Sequence, residues 1–398
     1  MSAGGSITVQ TEQGGVEVVE RLAPEWRGLC DEEGNNDPRY RPEWIAAYLS
    51  AFAPQARILV VAARSDGRLK AILPLMWEQC LFNGLPTKKL STLPRITATR
   101  FELVVSPGPE RSAAIAAVWK CLKNLPGWQM LELGNVQLES PLHQLFLLAQ
   151  ADRYPTGVVR TPPNPYLPIP HCDPKIPFPV EPRSRNHRTK LRKVLRELAG
   201  PPERLRFSRV DGLNRDALQR FYQLEAGGWK GREGSAILCV PAVRQFYDQL
   251  TEATSRLGYF TLYELYLDGQ HVAGHLGFTY RGGYFTPKGA YDERYRIFSV
   301  GHIIVLFIMR DCAQQGIRMF EFLGGPDDWK MLWTSNVHEL QICSIFRRNP
   351  LGYLRHATEF HMKPAAKKLA AGARAYLSRR KKSPPEPPPS ASPGDQAG

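Results

Sequence analysis

Four side chains in this sequence are candidates for the group that exchanges a proton with a substrate, because carboxylates and imidazoles are the usual proton acceptors of enzymes. They are Glu225, His275, Glu321 and Asp328. Asp328 and Lys330 follow a glycine turn at 324–326, directly after a segment with the pattern of a strand. Ligands of open αβ sheets gather at the carboxyl ends of strands. We therefore predict that Asp328 and Lys330 belong to a functional site.

A glycine-rich stretch at 227–231 provides candidate substrate contacts. Glycines allow the backbone to come close to a ligand, while Trp229 offers a stacking face and Lys230 a positive charge. Glu225 precedes this stretch at the end of a predicted helix over 216–227. In the structural alternative, the glycines end that helix and Trp229 fills a gap in the packing.

A second group of residues has the composition of an anion site. A predicted strand ends near residue 290, and an apolar helix begins after a loop at 296–301. The N–H groups of a first helical turn lack partners within the helix, and the helix dipole adds partial positive charge, so this loop can hold a pyrophosphate. The residues of this predicted cradle are Arg296, Ser299, Val300, Gly301 and His302.

These residues need a sheet to position them. Alternating apolar residues and the Asp-Gly turn at 268–269 predict a hairpin of strands 259–267 and 271–280. Further strands are predicted at 284–290 and 319–323. His275 lies on the return strand of the hairpin and faces either the cleft or the core. Glu321 alternates with two phenylalanines, so it enters the cleft if those rings pack in the core.

The first part of the chain shows a similar order of elements. The sequence predicts strand-like runs at 7–10 and 16–20, a helix at 42–52 and a hairpin across 66–67. It then predicts a strand at 101–105, a helix at 111–125, a strand at 128–133 and a helix at 142–151. A proline-rich stretch at 161–182 follows. We predict an α/β fold with a mixed sheet, built as two similar halves in tandem. The alternative is that the two halves share only common αβ elements.

The predicted organisation has five parts. They are a first half at 1–160 without an anion loop, a linker and basic helix at 161–204, a second half at 205–350 with the anion loop, a basic helical extension at 351–382 and a disordered tail at 383–398. In the first half, a Ser-Pro-Gly-Pro sequence at 106–109 takes the place of the loop, and prolines lack the N–H groups that a phosphate needs.

The distribution of charged, aromatic and cysteine residues argues against several classes of protein and of site. The net charge of +14 is concentrated at 183–196 and 363–382. The basic helix either presents a solvated face or faces an anionic ligand, and the tail could make weak peripheral contact with an anionic surface. Specific nucleic-acid binding is not expected, because interleaved aromatic residues are missing. Seven scattered cysteines predict neither a disulfide framework nor a metal site. The amino-terminal sequence lacks a signal-peptide pattern, which predicts a cytoplasmic protein.

Several motifs resemble one known family. The pattern Arg296-x-x-Ser299-x-Gly301 resembles the pyrophosphate loop of GNAT-type acetyltransferases, with a serine in place of the first glycine. Together with the segments 225–232, Tyr291-Asp292 and 324–330, it resembles the CelD/BcsL branch of that superfamily, which is associated with cellulose and exopolysaccharide production. The likeness covers roughly residues 205–346, and a looser one reaches back to about residue 40.

The resemblance implies a tandem GNAT fold and transfer of an acyl group, most simply acetyl from acetyl-CoA, to an amine or hydroxyl of a sugar or small metabolite. No metal cofactor is implied. The predicted catalytic residues are Glu225, Tyr291, Asp292, Asp328 and Lys330. The predicted acceptor contacts are Trp229, Lys230, His275 and Glu321. Two alternatives stay open, namely a Fem-like aminoacyltransferase that uses aminoacyl-tRNA and a non-catalytic binding protein on a GNAT fold.

Overall fold

The computed structural model describes residues 6–32, 34–93, 100–170, 178–201, 204–365 and 369. The predicted disordered tail at 383–398, half of the basic extension at 351–382 and Cys172 lie outside the described residues.

The secondary structure of these ranges is a single large mixed sheet with helices on its faces. The strands are β1 (Thr8–Gly14), β2 (Ile58–Ser65), β3 (Arg68–Phe82), β4 (Leu85–Ser91), β5 (Val104–Val105), β6 (Met130–Gln137), β7 (Thr156–Pro168), β8 (Leu205–Asp211), β9 (Phe260–Leu267), β10 (Gln270–Tyr280), β11 (Gly283–Tyr291), β12 (Met319–Glu321) and β13 (Val337–Phe346). The helices are α1 (Val16–Cys30), α2 (Pro42–Phe52), α3 (Arg111–Asn124), α4 (Pro141–Ala151), α5 (Arg185–Glu197), α6 (Arg215–Gly227), α7 (Trp229–Arg232), α8 (Pro241–Arg256), α9 (Val300–Gln314), α10 (Asp328–Met331) and α11 (Pro350–Ala357).

The strand order is β1-β2-β3-β4-β6-β13-β7-β12-β11-β10-β9-β8, with β5 paired to β3 at the side. Apart from the two-residue β5 in the first half and the four-residue α7 in the second, each half runs in the same order, a strand, two helices, three antiparallel strands, a helix and a parallel strand. The parallel pairs are β4 with β6 in the first half and β11 with β12 in the second. The prediction of a mixed α/β sheet built from two similar halves is confirmed.

The two halves meet through exchanged strands. β13 comes from the end of the second half but lies between β6 and β7, antiparallel to both. β7 pairs with β13 along its first ten residues and with β12 at its last three. The predicted linker therefore begins inside a strand, since residues 161–168 belong to β7. Pro162 and Pro163 fall where the register between β7 and β13 shifts, so their missing N–H groups lie in a part of the ladder that is already irregular.

One predicted strand of the first half is wrong. Residues 16–20 belong to the helix α1, not to a strand. Val18, Val19, Leu22 and Trp26 recur at helical spacing and are buried, and the short alternation in 16–20 concealed this longer period. The sequence analysis also missed β4 and α8, and the strand expected at 101–105 is reduced to β5.

The helices of the second half pack on both faces of its sheet. α9 packs with Phe320 and Phe322 in one core, and α6 and α8 pack on the opposite face of the sheet with α2. The basic helix α5 buries Leu191 and Val194 against the α9 side and keeps most of its cations exposed. Within the described ranges, no helix has the length and apolar character needed to cross a bilayer. Cys30, Cys312 and Cys343 are buried, whereas Cys239 is exposed.

Candidate active site

The site is organised by two strands that start together and then separate. β11 and β12 pair in parallel through three residue pairs, the last of which is Phe285 with Glu321. β12 ends there, while β11 continues for six more residues to Tyr291. Within the part of the chain that the structure describes, the edge of β11 that faced β12 therefore has no neighbouring strand over 286–291. A gap of this shape can admit a flexible chain with amide groups between the two strands.

A buried carboxylate lies on the α6 side of this gap. Glu225 accepts bonds from Nζ of Lys230 at 3.0 Å and from the backbone N–H of Ile237 at 2.8 Å, and Nζ of Lys288 lies 3.3 Å from it. Burial opposes ionisation, but the charges of both lysines hold the pKa of the Glu225 carboxyl below its ordinary value. Lys230 also donates to the carbonyl oxygen of Gly289 on β11, at 3.1 Å. The structure thus brings Glu225 and Lys230 into contact, and Lys288 is the third member of this cluster.

Lys330 occupies the other wall of the gap. Its Nζ donates to the carbonyl oxygens of Leu323 and Gly325, at 2.8 and 3.0 Å, and lies 2.8 Å from a carboxylate oxygen of Asp327. Burial lowers the pKa of Lys330, although its pairing with Asp327 opposes the shift. Lys230 is thus bonded to β11, and Lys330 to the turn that follows β12.

His275 lies in the core rather than the cleft. Its Nδ1 is 3.0 Å from Oγ1 of Thr286, and burial lowers the pKa of its imidazole to about 3. A side chain at Gly289 would come within 2.9 Å of Nε2 of His275. The imidazole therefore fills the space that this glycine leaves open, and the choice between core and cleft is resolved in favour of the core.

The predicted anion cradle has the expected backbone form. Ser299 is buried and has φ +51°, the left-handed conformation in which the usual glycine is most at ease. Its carbonyl oxygen accepts from His302 and Ile303, so the first turn of α9 begins directly after it. Tyr291 lies against Gly301, since a Cβ placed there would be 3.1 Å from its ring.

The side chains around this turn divide into two kinds. Arg296 is exposed and available to an anion, and Val300 is buried in the core. The imidazole of His302 packs edge-on against that of His187 from α5, with ring centroids 4.4 Å apart. Burial lowers the pKa of His302 to about 4, which keeps its ring neutral. The backbone and Arg296, rather than His302, supply the positive potential here.

Three predicted site residues are directed elsewhere. Asp292 caps the turn that follows it and is bonded to the exposed Arg294. Asp328 is exposed at the start of α10. Trp229 is half-exposed, and its backbone N–H bonds Glu293. The structure does not bring these three into contact with Glu225 or Glu321.

Glu321 points away from its phenylalanine neighbours, as the alternation predicted, and enters a buried polar cluster at the joint of the halves. Its Oε1 lies 2.9 Å from Nε2 of His338 and 3.1 Å from Nη2 of Arg100. Arg100 also lies 3.1 Å from Asp37. Burial opposes ionisation, but Arg100 and His338 hold the pKa of Glu321 below its ordinary value. The ring of Tyr166 stacks on His338, with centroids 4.1 Å apart.

The sequence analysis missed Arg100, His338 and Lys288. Arg100 belongs to the first half and His338 to β13 at the end of the second, and only the exchange of β13 brings them together, so no local pattern marks them. Lys288 lies on the predicted strand 284–290, where its alternation with Gly289 could have placed it on the Glu225 side.

The arrangement can hold an extended ligand with an anionic end. The gap beside β11 accepts the chain, the first turn of α9 accepts the anion, and acid–base groups lie near the point where the strands separate. Among the described residues, no group of three or more His, Cys, Asp or Glu side chains has the arrangement of a metal site.

Comparison with known proteins agrees with this geometry. Residues 185–331 match a family model described as "Acetyltransferase (GNAT) domain". None of the curated proteins that were compared matches the chain.

Similar solved structures cover most of the chain. FemX is 14% identical with a TM-score of 0.56, covering 87% of this chain and 100% of its own. The C-terminal domain of a putative lysylphosphatidylglycerol synthetase from Agrobacterium fabrum is 11% identical with a TM-score of 0.50, covering 85% and 96%. A tandem GNAT protein from the clavulanic acid biosynthesis pathway is 15% identical with a TM-score of 0.44, covering 84% and 98%. At these identities the likeness shows the fold alone. The chain has a mixed α/β fold of two similar halves that FemX shares, and its residues 185–331 match the model of a GNAT-type acetyltransferase domain.

Proposed function

We propose that this protein transfers an acyl group, most simply acetyl, from an acyl-CoA to an amine or hydroxyl of a sugar or small metabolite. The observation that carries the proposal is the separation of β11 and β12 beside the first turn of α9. The family match over 185–331 supports it, because that segment contains both features.

The residues present fit a CoA donor. The amide groups of its pantetheine arm can pair with the free edge of β11 at 286–291, as an added strand would. Its pyrophosphate can meet the N–H groups of the first turn of α9, with Arg296 beside them. The left-handed Ser299 preserves the backbone turn that a glycine would otherwise provide. The donor contributes an activated thioester, and the protein positions it.

The acceptor pocket carries excess positive charge. Lys230 and Lys288 share the single carboxylate of Glu225, and Lys330 is paired with Asp327. An acceptor bearing a carboxylate or phosphate would be favoured there. The resemblance to the CelD/BcsL family supports a saccharide acceptor linked to exopolysaccharide or cellulose production as the finer proposal.

Calorimetry with acetyl-CoA and desulfo-CoA tests the donor. We expect dissociation constants in the micromolar range for the intact protein. Gly301→Pro removes one N–H of the cradle, so it should weaken binding about tenfold or more, equivalent to about 1.4 kcal/mol. Gly301→Ala adds the same Cβ at 3.1 Å from the Tyr291 ring but keeps the N–H, so it should bind within about twofold of wild type. Ser112→Pro is the matched control, since Ser112 holds the corresponding position in α3 of the first half. It should bind normally.

Absence of acetyl-CoA binding by the intact protein would contradict the proposed donor. A second candidate, Fem-like transfer from aminoacyl-tRNA, would then gain weight, because FemX shares the fold over most of the chain and α5 presents exposed cations. Titration with a charged and an uncharged tRNA distinguishes that candidate. Binding of neither donor would favour a non-catalytic protein on this fold.

A further inference from the structure

We propose that the basic helix α5 holds the 3′-phosphate of CoA, and that Lys190 is the side chain that recognises this phosphate. The inference rests on the proposed CoA donor and deepens it, because it names the residue by which the protein distinguishes CoA from a CoA without the 3′-phosphate. It is carried by the contact between the first turns of α5 and α9 and by the cations of α5 that lack an acidic partner.

The first turns of α5 and α9 lie side by side. His187 is the third residue of α5, His302 is the third residue of α9, and their ring centroids are 4.4 Å apart. Leu191 continues this contact in the core that contains α9. The N–H group of Arg183 bonds the carbonyl oxygen of Leu332, which ties the chain just before α5 to the end of α10. The start of α5 is therefore held next to the predicted pyrophosphate cradle.

Most cations of α5 are not neutralised by an acidic side chain. Arg192 lies 2.7 Å from a carboxylate oxygen of Glu181, and Nζ of Lys193 lies 3.7 Å from Glu197. The other four have no carboxylate within salt-bridge distance among the described residues, and they are Arg185, Arg188, Lys190 and Arg196. Unpaired cations beside two helix starts give this surface an excess of positive potential, which a bound phosphate would reduce.

Lys190 is the cation of this group that lies on the α9 side. It follows His187 by three residues, so the two share one side of the helix, whereas Arg196 follows by nine and lies on the opposite side. Lys190 is exposed. Burial is the main cause of the lowered pKa of His187 and of His302, and the positive charge of Lys190 adds to both shifts. Its ammonium group is therefore close to the first turn of α9.

The anionic groups of CoA match this pair of helices. The 3′-phosphate is joined to the pyrophosphate through one ribose, a span comparable to the roughly 8–10 Å between the axes of packed helices. With the pyrophosphate on the first turn of α9, the 3′-phosphate can reach the start of α5. A lysine ammonium on a flexible stem suits a phosphate at the protein surface, because it does not require a fixed approach direction. A CoA without this phosphate leaves Lys190 unpaired.

The test is calorimetry on the full-length protein with CoA and 3′-dephospho-CoA, two ligands that differ only in the phosphate concerned. We expect the intact protein to bind CoA about tenfold more tightly, the usual scale of one charge-assisted contact. Lys190→Gln should weaken CoA binding about fivefold and leave 3′-dephospho-CoA binding within about twofold. The preference for CoA should also shrink as the NaCl concentration rises, because salt screens exposed charges.

Lys193→Gln is the matched control. It removes the same charge from the same helix, but Lys193 lies one turn further from His302 and faces Glu197, so this variant should bind both ligands as the intact protein does. Equal affinity of the intact protein for the two ligands would overturn the inference. Unchanged CoA binding by Lys190→Gln, or an equal loss for both ligands, would do the same. Binding of neither ligand by the intact protein would instead refute the proposed donor.

Discussion

The ammonium group of Lys230 lies 3.1 Å from the carbonyl oxygen of Gly289, so a side chain from α7 is bonded to the strand that borders the gap. The same ammonium pairs with Glu225 on α6. Lys230 of the short helix α7 thereby connects the end of α6 to β11, the strand that borders the gap. The buried charges are part of the structure of the gap as well as of its chemistry.

We expect Glu225→Gln to lower the free energy of unfolding by about 3 kcal/mol, because it leaves Lys230 and Lys288 without their shared buried carboxylate. Urea denaturation measures the change. Glu293→Gln removes the partner of Arg232 at the surface and should have a much smaller effect, because solvent screens that pair. Equal effects of the two substitutions would show that the Glu225 cluster is not buried as described.

Acid should destabilise the protein through Glu225 and Glu321. Both have a pKa below the ordinary glutamate value of about 4.3, so their stabilising contribution is present above that value and is lost as the pH falls through the lower folded value. The free energy of unfolding, measured in urea from pH 7 to pH 3, should fall below about pH 5. Glu321→Gln should flatten this decline, and an unchanged slope in that variant would contradict the assignment.

The left-handed backbone conformation of Ser299 predicts which side chains this position tolerates. Ser299→Gly should leave stability within about 1 kcal/mol of wild type, because relief at positive φ offsets the greater entropy of the unfolded chain. Ser299→Val should lower stability by about 1–2 kcal/mol, since a branched side chain is disfavoured there. Thermal unfolding compares the two, and a valine variant as stable as the glycine variant would argue against this backbone conformation.

A double-mutant cycle tests the fit between Gly289 and His275. Gly289→Ala should cost about 1–3 kcal/mol, because the new methyl group meets a buried imidazole at 2.9 Å. In a His275→Ala background the methyl group has room, so its cost should fall to under about 1 kcal/mol. Additive effects would mean that the two residues do not compete for the same space.

The second half was largely predictable because its signals are local. The Asp-Gly turn and the alternation on either side define the hairpin β9–β10, and the alternation of Glu321 with its phenylalanines gave its direction. The end of β12 and the start of α9 also follow from nearby residues. The left-handed conformation at Ser299 matches the glycine of the motif that it replaces.

The remainder depends on contacts that no local pattern encodes. Arg100 and Glu321 are separated by more than half the chain, and His338 reaches them only because β13 enters the sheet of the first half. The prolines of β7 suggested a linker, although tertiary pairing on both sides makes it a central strand. The first residues of α1 alternate as in a strand, and only the spacing of apolar residues along the whole helix shows the helical period.

The exchange of β13 also sets an order of events during synthesis. Until residue 346 has left the ribosome, β6 and β7 lack the strand that pairs between them. Neither half can therefore finish folding before β13, the last strand of the sheet, has been synthesised. Such a chain carries an incomplete sheet edge through most of its translation, when it is most exposed to pairing with other chains. The joint that assembles Arg100, Glu321 and His338 therefore forms last, and a ribosome-bound chain stalled before β13 would lack it.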